Sequence, residues 1–149
     1  MKIIGIGKNY VLDKSEIDDL KNDVQLIFTK PDSSLVTESK DVEFPAITNQ
    51  LIYEVELVVK IGKTAKNVSV EEANSYISEI GIGIDYTAKD VLTASREKKG
   101  PWALAKGFDG ASPISGFKPI SDFPELGNIN FDLVINGEKK QVGNTGYII

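Results

Sequence analysis

Ile52-Tyr53-Glu54-Val55-Glu56-Leu57-Val58-Val59, closing with Lys60-Ile61-Gly62, sets two acids into a run of β-branched and aromatic residues. Such a run reads as a strand, in which alternate side chains share a face. Glu54 and Glu56 then project together, with Cα atoms roughly 6.6 Å apart at about 3.3 Å per residue. Ile52 and Val58 belong to that face, and Tyr53, Val55, Leu57 and Val59 to the other. Apolar residues on both faces predict a strand buried on both sides. Two unpaired carboxylates there cost several kcal/mol each. A hard cation with oxygen ligands removes that cost. The same pattern also fits an antiparallel strand that turns one polar stretch to solvent, and Lys60 agrees with that reading.

Composition narrows the chemistry. The chain has 149 residues, 41% hydrophobic and 26% charged, which predicts one globular domain over 1–149. Without cysteine there are no disulfides, thiol nucleophiles or cysteine-based zinc sites. Without histidine, the commonest general base and transition-metal ligand is missing as well. Carboxylates, lysines, hydroxyls and backbone remain, a set that suits Mg²⁺, Mn²⁺ or Ca²⁺. Net charge is −5 and the basic residues are scattered, so no nucleic-acid partner is expected. No apolar run reaches membrane-spanning length and Met1–Gly7 is too short for a signal peptide, so a cytoplasmic protein without a membrane partner is expected.

Outward from the glutamate run, Lys2–Ile6 and Val24–Thr29 read as strands, and Lys30–Ser34 as a turn cluster around Pro31. The polar stretch 13–22 fits a short surface helix, a flap or a solvated connector. Val42–Gln50 reads as loop and edge structure around Pro45. Ser69-Val70-Glu71-Glu72 is a capping-box pattern. Behind it, Val70, Ala73, Tyr76, Ile77 and Ile80 have helical spacing, predicting a helix packed on a sheet. Gly81-Ile82-Gly83-Ile84-Asp85 reads as a strand that places a third carboxylate at its end, with a short helix from Thr87 toward Arg96. Gly81 and Gly83 leave one flank bare, as if another group approaches closely. Asn136-Gly137 between Phe131–Ile135 and Glu138–Val142 is a two-residue hairpin signal. The apolar end Tyr147-Ile148-Ile149 suggests that more sheet follows.

Several segments, in order, are similar to one family. They are Gly7-Lys8-Asn9-Tyr10, Phe28-Thr29-Lys30-Pro31-Asp32-Ser33-Ser34, Tyr53–Gly62, Gly83-Ile84-Asp85-Tyr86-Thr87-Ala88-Lys89-Asp90, Pro101-Trp102 with Lys106-Gly107-Phe108-Asp109, and Asn136-Gly137-Glu138 with Gln141, Gly143 and Thr145. The chain resembles the fumarylacetoacetate hydrolase family. The resemblance implies an α+β fold of rolled mixed β-sheets with a few short helices, usually dimeric. It also implies Mg²⁺ or Mn²⁺ held by three carboxylates, here Glu54, Glu56 and Asp85, acting on 2-oxo or 2,4-dioxo acids. Hydrolysis, decarboxylation and isomerisation through metal-stabilised enolates all occur in the family.

By the same resemblance Lys106 reaches the substrate's oxyanion or carboxylate, and Tyr10, Lys89, Gln141 and Thr145 border the substrate. A surface lysine paired with Asp109 is the plainer reading of Lys106. The departures are specific. Glu16 matches the family's flap glutamate, but Asp13 stands where a histidine helps activate water. Asp13 beside Glu16 could act as a base if like charges raise one pKa, although an ordinary aspartate is a weaker base than histidine. Lys89 stands where arginine is usual, and Leu92 where many members carry glutamine. The family's C-terminal strands are absent from this sequence. A metal-dependent enzyme, a non-catalytic relative that binds metal and a 2-oxo acid, and a fragment of a longer chain are the competing readings.

Overall fold

In a computed structural model, which describes residues 1–37 and 40–149, the elements follow one another as short strands with brief helices. In chain order they are β1 (Ile3–Gly7), α1 (Ile17–Leu20), β2 (Leu26–Lys30), β3 (Leu35–Val36), β4 (Leu51–Ile61), α2 (Val70–Ala73), β5 (Ile77–Ala88), α3 (Lys89–Glu97), α4 (Ala103–Lys106), β6 (Ser112–Pro113), β7 (Lys118–Pro119), β8 (Asn130–Ile135) and β9 (Glu138–Asn144). Short helices are interspersed among mainly antiparallel strand pairs, with one parallel pair, an α+β arrangement.

The organising element is β5. Its Ile-x-x-Ile-Gly-Ile-Gly-Ile run pairs antiparallel with β4 from Leu51↔Ala88 to Lys60↔Glu79. Its far edge takes the backbone of 111–119. Tyr86 N–H donates to Ala111 O at 3.0 Å, Ser115 N–H to Ile82 O at 2.9 Å, and β7 pairs at Glu79 and Ile80. The bare flank of β5 is filled by the protein itself. A Cβ on Gly83 would sit 2.8 Å from Val58 Cγ2, and one on Gly81 would sit 3.2 Å from the Phe117 ring.

Three expectations are corrected here. The stripe from Val70 to Ile80 is not one helix. α2 ends at Ala73, Val70 is 86% exposed, and Ile77 already pairs with Ile61. Long-range pairing of a β-branched run with β4 outweighs the local helical spacing. Asp85 does not end its strand, because β5 continues through Thr87 and Ala88 and the helix starts at Lys89. Finally, β4 is an edge strand, half-buried along most of its length and exposed at Glu54 and from Val59 to Ile61. Only β5 is deeply buried.

Other elements form as the sequence predicts. The capping box is present, with Ser69 Oγ accepting from Glu72 N–H at 3.3 Å. Asn136 (φ 52°) and Gly137 (φ 80°) close the β8–β9 hairpin with two positive φ angles, the geometry for which Asn-Gly is suited. The fully buried set is as polar as it is apolar. Val11, Ile80, Ala88, Leu92, Ala105 and Ala111 are joined there by Lys30, Asp85, Thr87 and Lys106. Buried charges of this kind must be paired. Among the described residues no helix is long and apolar enough to cross a membrane.

Candidate metal and substrate site

The β4–β5 register sets the site. Glu54 faces Asp85 and Glu56 faces Gly83, so all three acids share one face of the ladder. Thr87 lies on the same face, and its hydroxyl donates to Glu54 Oε2 at 3.5 Å. Two lysines arrive from other elements. α4 carries Lys106, whose ammonium donates to Asp85 Oδ2 and, at 3.2 Å, to Glu54 Oε2. It also stands 5.0 Å above the Phe28 ring. α4 is seated by Gly107, where a Cβ would collide with Pro31 Cδ at 2.9 Å. That close approach brings Lys106 beside Lys30 at the end of β2.

Lys30 is the functional candidate that sequence reasoning missed. It had been read as part of a turn, yet it is a buried strand residue, 6% exposed. Its ammonium donates to Ala111 O at 2.7 Å and Tyr86 O at 3.4 Å, and lies 2.5 Å from Asp85 Oδ1. That last approach is a charge contact without hydrogen-bond geometry, since Asp85 Oδ1 is buried and lacks a hydrogen-bond partner among the described residues. Burial pulls the Lys30 ammonium below its ordinary pKa, against the opposing pull of Asp85. The available signal was a lysine directly before proline at the end of an apolar strand.

Glu56 reports the crowding of negative charge. Burial, then the neighbouring Asp85 and Glu54 carboxylates, push its pKa up to about 7, despite Lys106 and Lys30. Three acids against two lysines leave an excess of acceptor capacity at this point. All the candidate ligand atoms are carboxylate oxygens, a donor set that fits a hard divalent cation. Among the described residues, however, no three acidic side chains close to ligand spacing. Asp85 and Glu54 are turned onto the lysines, whose ammonium groups stand in for the charge a cation would bring.

The remaining expected site residues lie elsewhere or are otherwise engaged. Lys106 pairs with Glu54 and Asp85, not with Asp109. Gln141 spends both ends of its amide on the backbone of β4, accepting from Val55 N–H at 2.9 Å and donating to Tyr53 O at 3.1 Å. Thr145 is buried, its hydroxyl accepting from Ile129 N–H at 2.8 Å. Tyr10 stacks on Tyr147 and accepts from Asn144 N–H at 3.1 Å, lining a cavity of about 240 Å³ with Val142 and Gly143. Lys89 is exposed at the start of α3, where its N–H donates to Gln50 O at 2.8 Å. Asp13 and Glu16 are both exposed, and among the described residues no hydrogen bond or ion pair links them to the acidic face. Asp13 instead caps the turn it opens, accepting from Ser15 N–H at 2.9 Å and Ser15 Oγ at 2.8 Å. Those bonds hold its carboxyl below the ordinary range, so the expectation of a raised pKa there is corrected. A second cavity, about 220 Å³, lies on the Val55–Ile82–Ile84 side of the sheet, away from the three acids.

The fold and site define a class: an α+β sheet protein with three carboxylates on one strand pair, met by two buried lysines from other elements. Residues 2–149 match the family model described as Fumarylacetoacetate (FAA) hydrolase C-terminal, and the chain belongs to that family. It is 32% identical to the mitochondrial oxaloacetate decarboxylase of Dictyostelium discoideum, covering 99% of this chain and 68% of that protein. Identity to the mitochondrial oxaloacetate tautomerase FAHD1 of Bos taurus is 34%, over 99% and 66% of the two chains. Among solved structures, the fumarylpyruvate hydrolase of Pseudomonas aeruginosa, in complex with Mn²⁺ and pyruvate, superposes with a TM-score of 0.88. Sequence identity there is 26%, over 99% of this chain and 66% of that one. The chain thus spans about two thirds of the length of these relatives.

Proposed function

We propose that residues 1–149 form one catalytic unit that acts on a small 2-oxo acid with the help of Mg²⁺ or Mn²⁺. The observation that carries this reading is the shared face of Glu54, Glu56 and Asp85, three carboxylates gathered on one side of the β4–β5 ladder. These three residues would hold the cation, which would supply Lewis-acid stabilisation of enolate charge. The likeness to an oxaloacetate decarboxylase and an oxaloacetate tautomerase supports a substrate with a 2-oxo carboxylate end.

The chain's own groups then divide the work. Lys106 offers a fixed positive charge at the edge of the acidic face, where a substrate carboxylate or a developing enolate can take it up. Lys30 holds Asp85 from the interior side and stays with the protein, tied to Ala111 O and Tyr86 O. Glu56, with its pKa near 7, is the acid of the three that would release a proton on cation binding near neutrality. Decarboxylation and tautomerisation suit this arrangement better than hydrolysis, because they draw on enolate stabilisation more than on an activated water. A homodimer in the cytoplasm is the expected setting.

A second reading is favoured by one observation. Asp13 is committed to Ser15 and lies apart from the acidic face, so water activation by the flap is weakened. On that reading the protein binds metal and a 2-oxo acid without efficient turnover.

Thermal unfolding with Mg²⁺, with and without oxalate as a mimic of pyruvate enolate, tests whether cation and ligand bind together. The expected result is stabilisation by Mg²⁺ that oxalate deepens and Glu56→Gln abolishes. A shift that survives Glu56→Gln removes the ligand assignment. Turnover of oxaloacetate, corrected for decarboxylation by free metal, then separates the enzyme from the non-catalytic binder.

A further inference from the structure

Among the described residues the outer edge of β4 faces no neighbouring strand, yet its backbone at the site is paired. In a strand, residues 53 and 55 direct their N–H and C=O groups to one edge and residues 52, 54 and 56 to the other. The inner edge is taken by β5. On the outer edge the side-chain amide of Gln141, from β9, donates to Tyr53 O and accepts from Val55 N–H. These are the two bonds that the backbone of a parallel neighbouring strand would make around Glu54. The amide orientation is self-consistent, with its donor on a carbonyl and its acceptor on an N–H.

We infer that Gln141 is a positioning residue for Glu54, clamping the backbone on both sides of that glutamate so that its carboxylate keeps station opposite Asp85. The inference rests on the reading of Glu54 as a metal ligand and adds a residue to it. Gln141 touches neither substrate nor cation. It acts through β4, and it ties the β8–β9 hairpin to the acidic face. The geometry has a chemical requirement: the side chain must both donate and accept at a fixed reach. Glutamate retains the acceptor and loses the donor. Methionine keeps the approximate length and loses both. Groups that orient metal ligands typically contribute about 10–100-fold to metal affinity.

The experiment is a double-mutant cycle read by Mn²⁺ binding, using calorimetry or electron paramagnetic resonance on the whole chain without substrate. Gln141→Met and Gln141→Glu are each measured alone and combined with Glu54→Gln. Both single variants are expected to weaken Mn²⁺ binding about tenfold. Neither should weaken it further once Glu54 is glutamine, because the effect runs through that residue. A merely structural role would lower the melting temperature and give additive losses. Amide exchange at Val55 in the unaltered protein provides a reading that needs no variant to fold, and protection there is expected. Binding within twofold of the parent in Gln141→Met, additive losses in the cycle, or rapid exchange at Val55 would each overturn the assignment. If the unaltered chain takes up no Mn²⁺, or if Glu54→Gln leaves its affinity unchanged, the metal reading itself fails and Gln141 loses its role with it.

Discussion

The acidic face of β4–β5 and the segment from Asn9 to Leu20 both carry acids expected to do chemistry, and they are built in opposite ways. Asp85 and Glu54 on the sheet face are held by partners distant in sequence. Lys30 meets Asp85 across 55 positions and Lys106 meets Glu54 across 52. In the flap the acids are held locally, although the backbone around Tyr10 is tied to the far end of the chain. Asp13 is satisfied by Ser15, Asp18 by Lys21 just beyond the segment, and Glu16 lies in the open. Long-range pairing gives the sheet acids electrostatics that depend on the whole fold, whereas local capping gives the flap acids surroundings set by a few neighbours.

Removing Lys30 should break the contrast most sharply. Lys30→Met leaves Asp85 buried with one cation instead of two. It should cost about 3 kcal/mol of stability, the lower end for breaking a buried pair because Lys106 remains. Urea unfolding of the metal-free protein measures it, and a cost under about 1 kcal/mol would mean that Lys30 is no part of the cluster.

The pH dependence should run in opposite directions in the two regions. Glu56 holds its proton up to about pH 7 in the folded chain, whereas in the unfolded chain it releases it near 4.5. The native state binds more protons across that window, so the metal-free fold loses stability as pH rises from about 4.5 to 7. The loss is on the order of 3 kcal/mol, with Asp85, Glu54, Lys106 and Lys30 all bearing on the group. Asp13, with its pKa lowered, contributes the reverse: stability present above the ordinary carboxylate range and lost as pH falls. Thermal unfolding of the metal-free protein from pH 4 to 8, repeated with Glu56→Gln, checks the larger effect, which that substitution should flatten. Mn²⁺ affinity should climb over the same interval as Glu56 ionises.

Replacing Asp13 by histidine should sharpen the comparison from the flap side. Hydrolysis of an acylpyruvate should rise about a hundredfold, the lower end of the range for general-base catalysis, while oxaloacetate decarboxylation changes by less than threefold. Equal gains in both assays would show that flap and sheet are not separable. The smallest effect belongs to Asp13→Ala, expected to lower the urea midpoint only slightly, through loss of the cap on the turn at Ser15.

Much of this could be read from residue order. The alternation through Glu54 and Glu56, the third carboxylate at Asp85 and the Asn136-Gly137 hairpin are local patterns with local causes. What escaped is set by partners far along the chain. The Val70–Ile80 stripe looks helical until β4 is known to lie beside it. Lys30 looks like the start of a turn, because nothing near it in sequence shows that Asp85 waits across the interior. The bonding of the Gln141 amide is legible only in the folded chain, where the edge of β4 takes both of its ends. Glu54 proved half exposed, because burial of β4 depends on what covers its outer side.

The uninterrupted pairing from Leu51 to Lys60 has an evolutionary consequence. Side chains on a ladder alternate with a period of two, so inserting or deleting one residue upstream of Glu54 within β4 reverses its phase. Both glutamates would then project among Tyr86, Ile84 and Ile82, leaving Asp85 alone with its lysines. A one-residue change of length there would dismantle the acidic face, whereas the connections on either side can change length without reversing the phase.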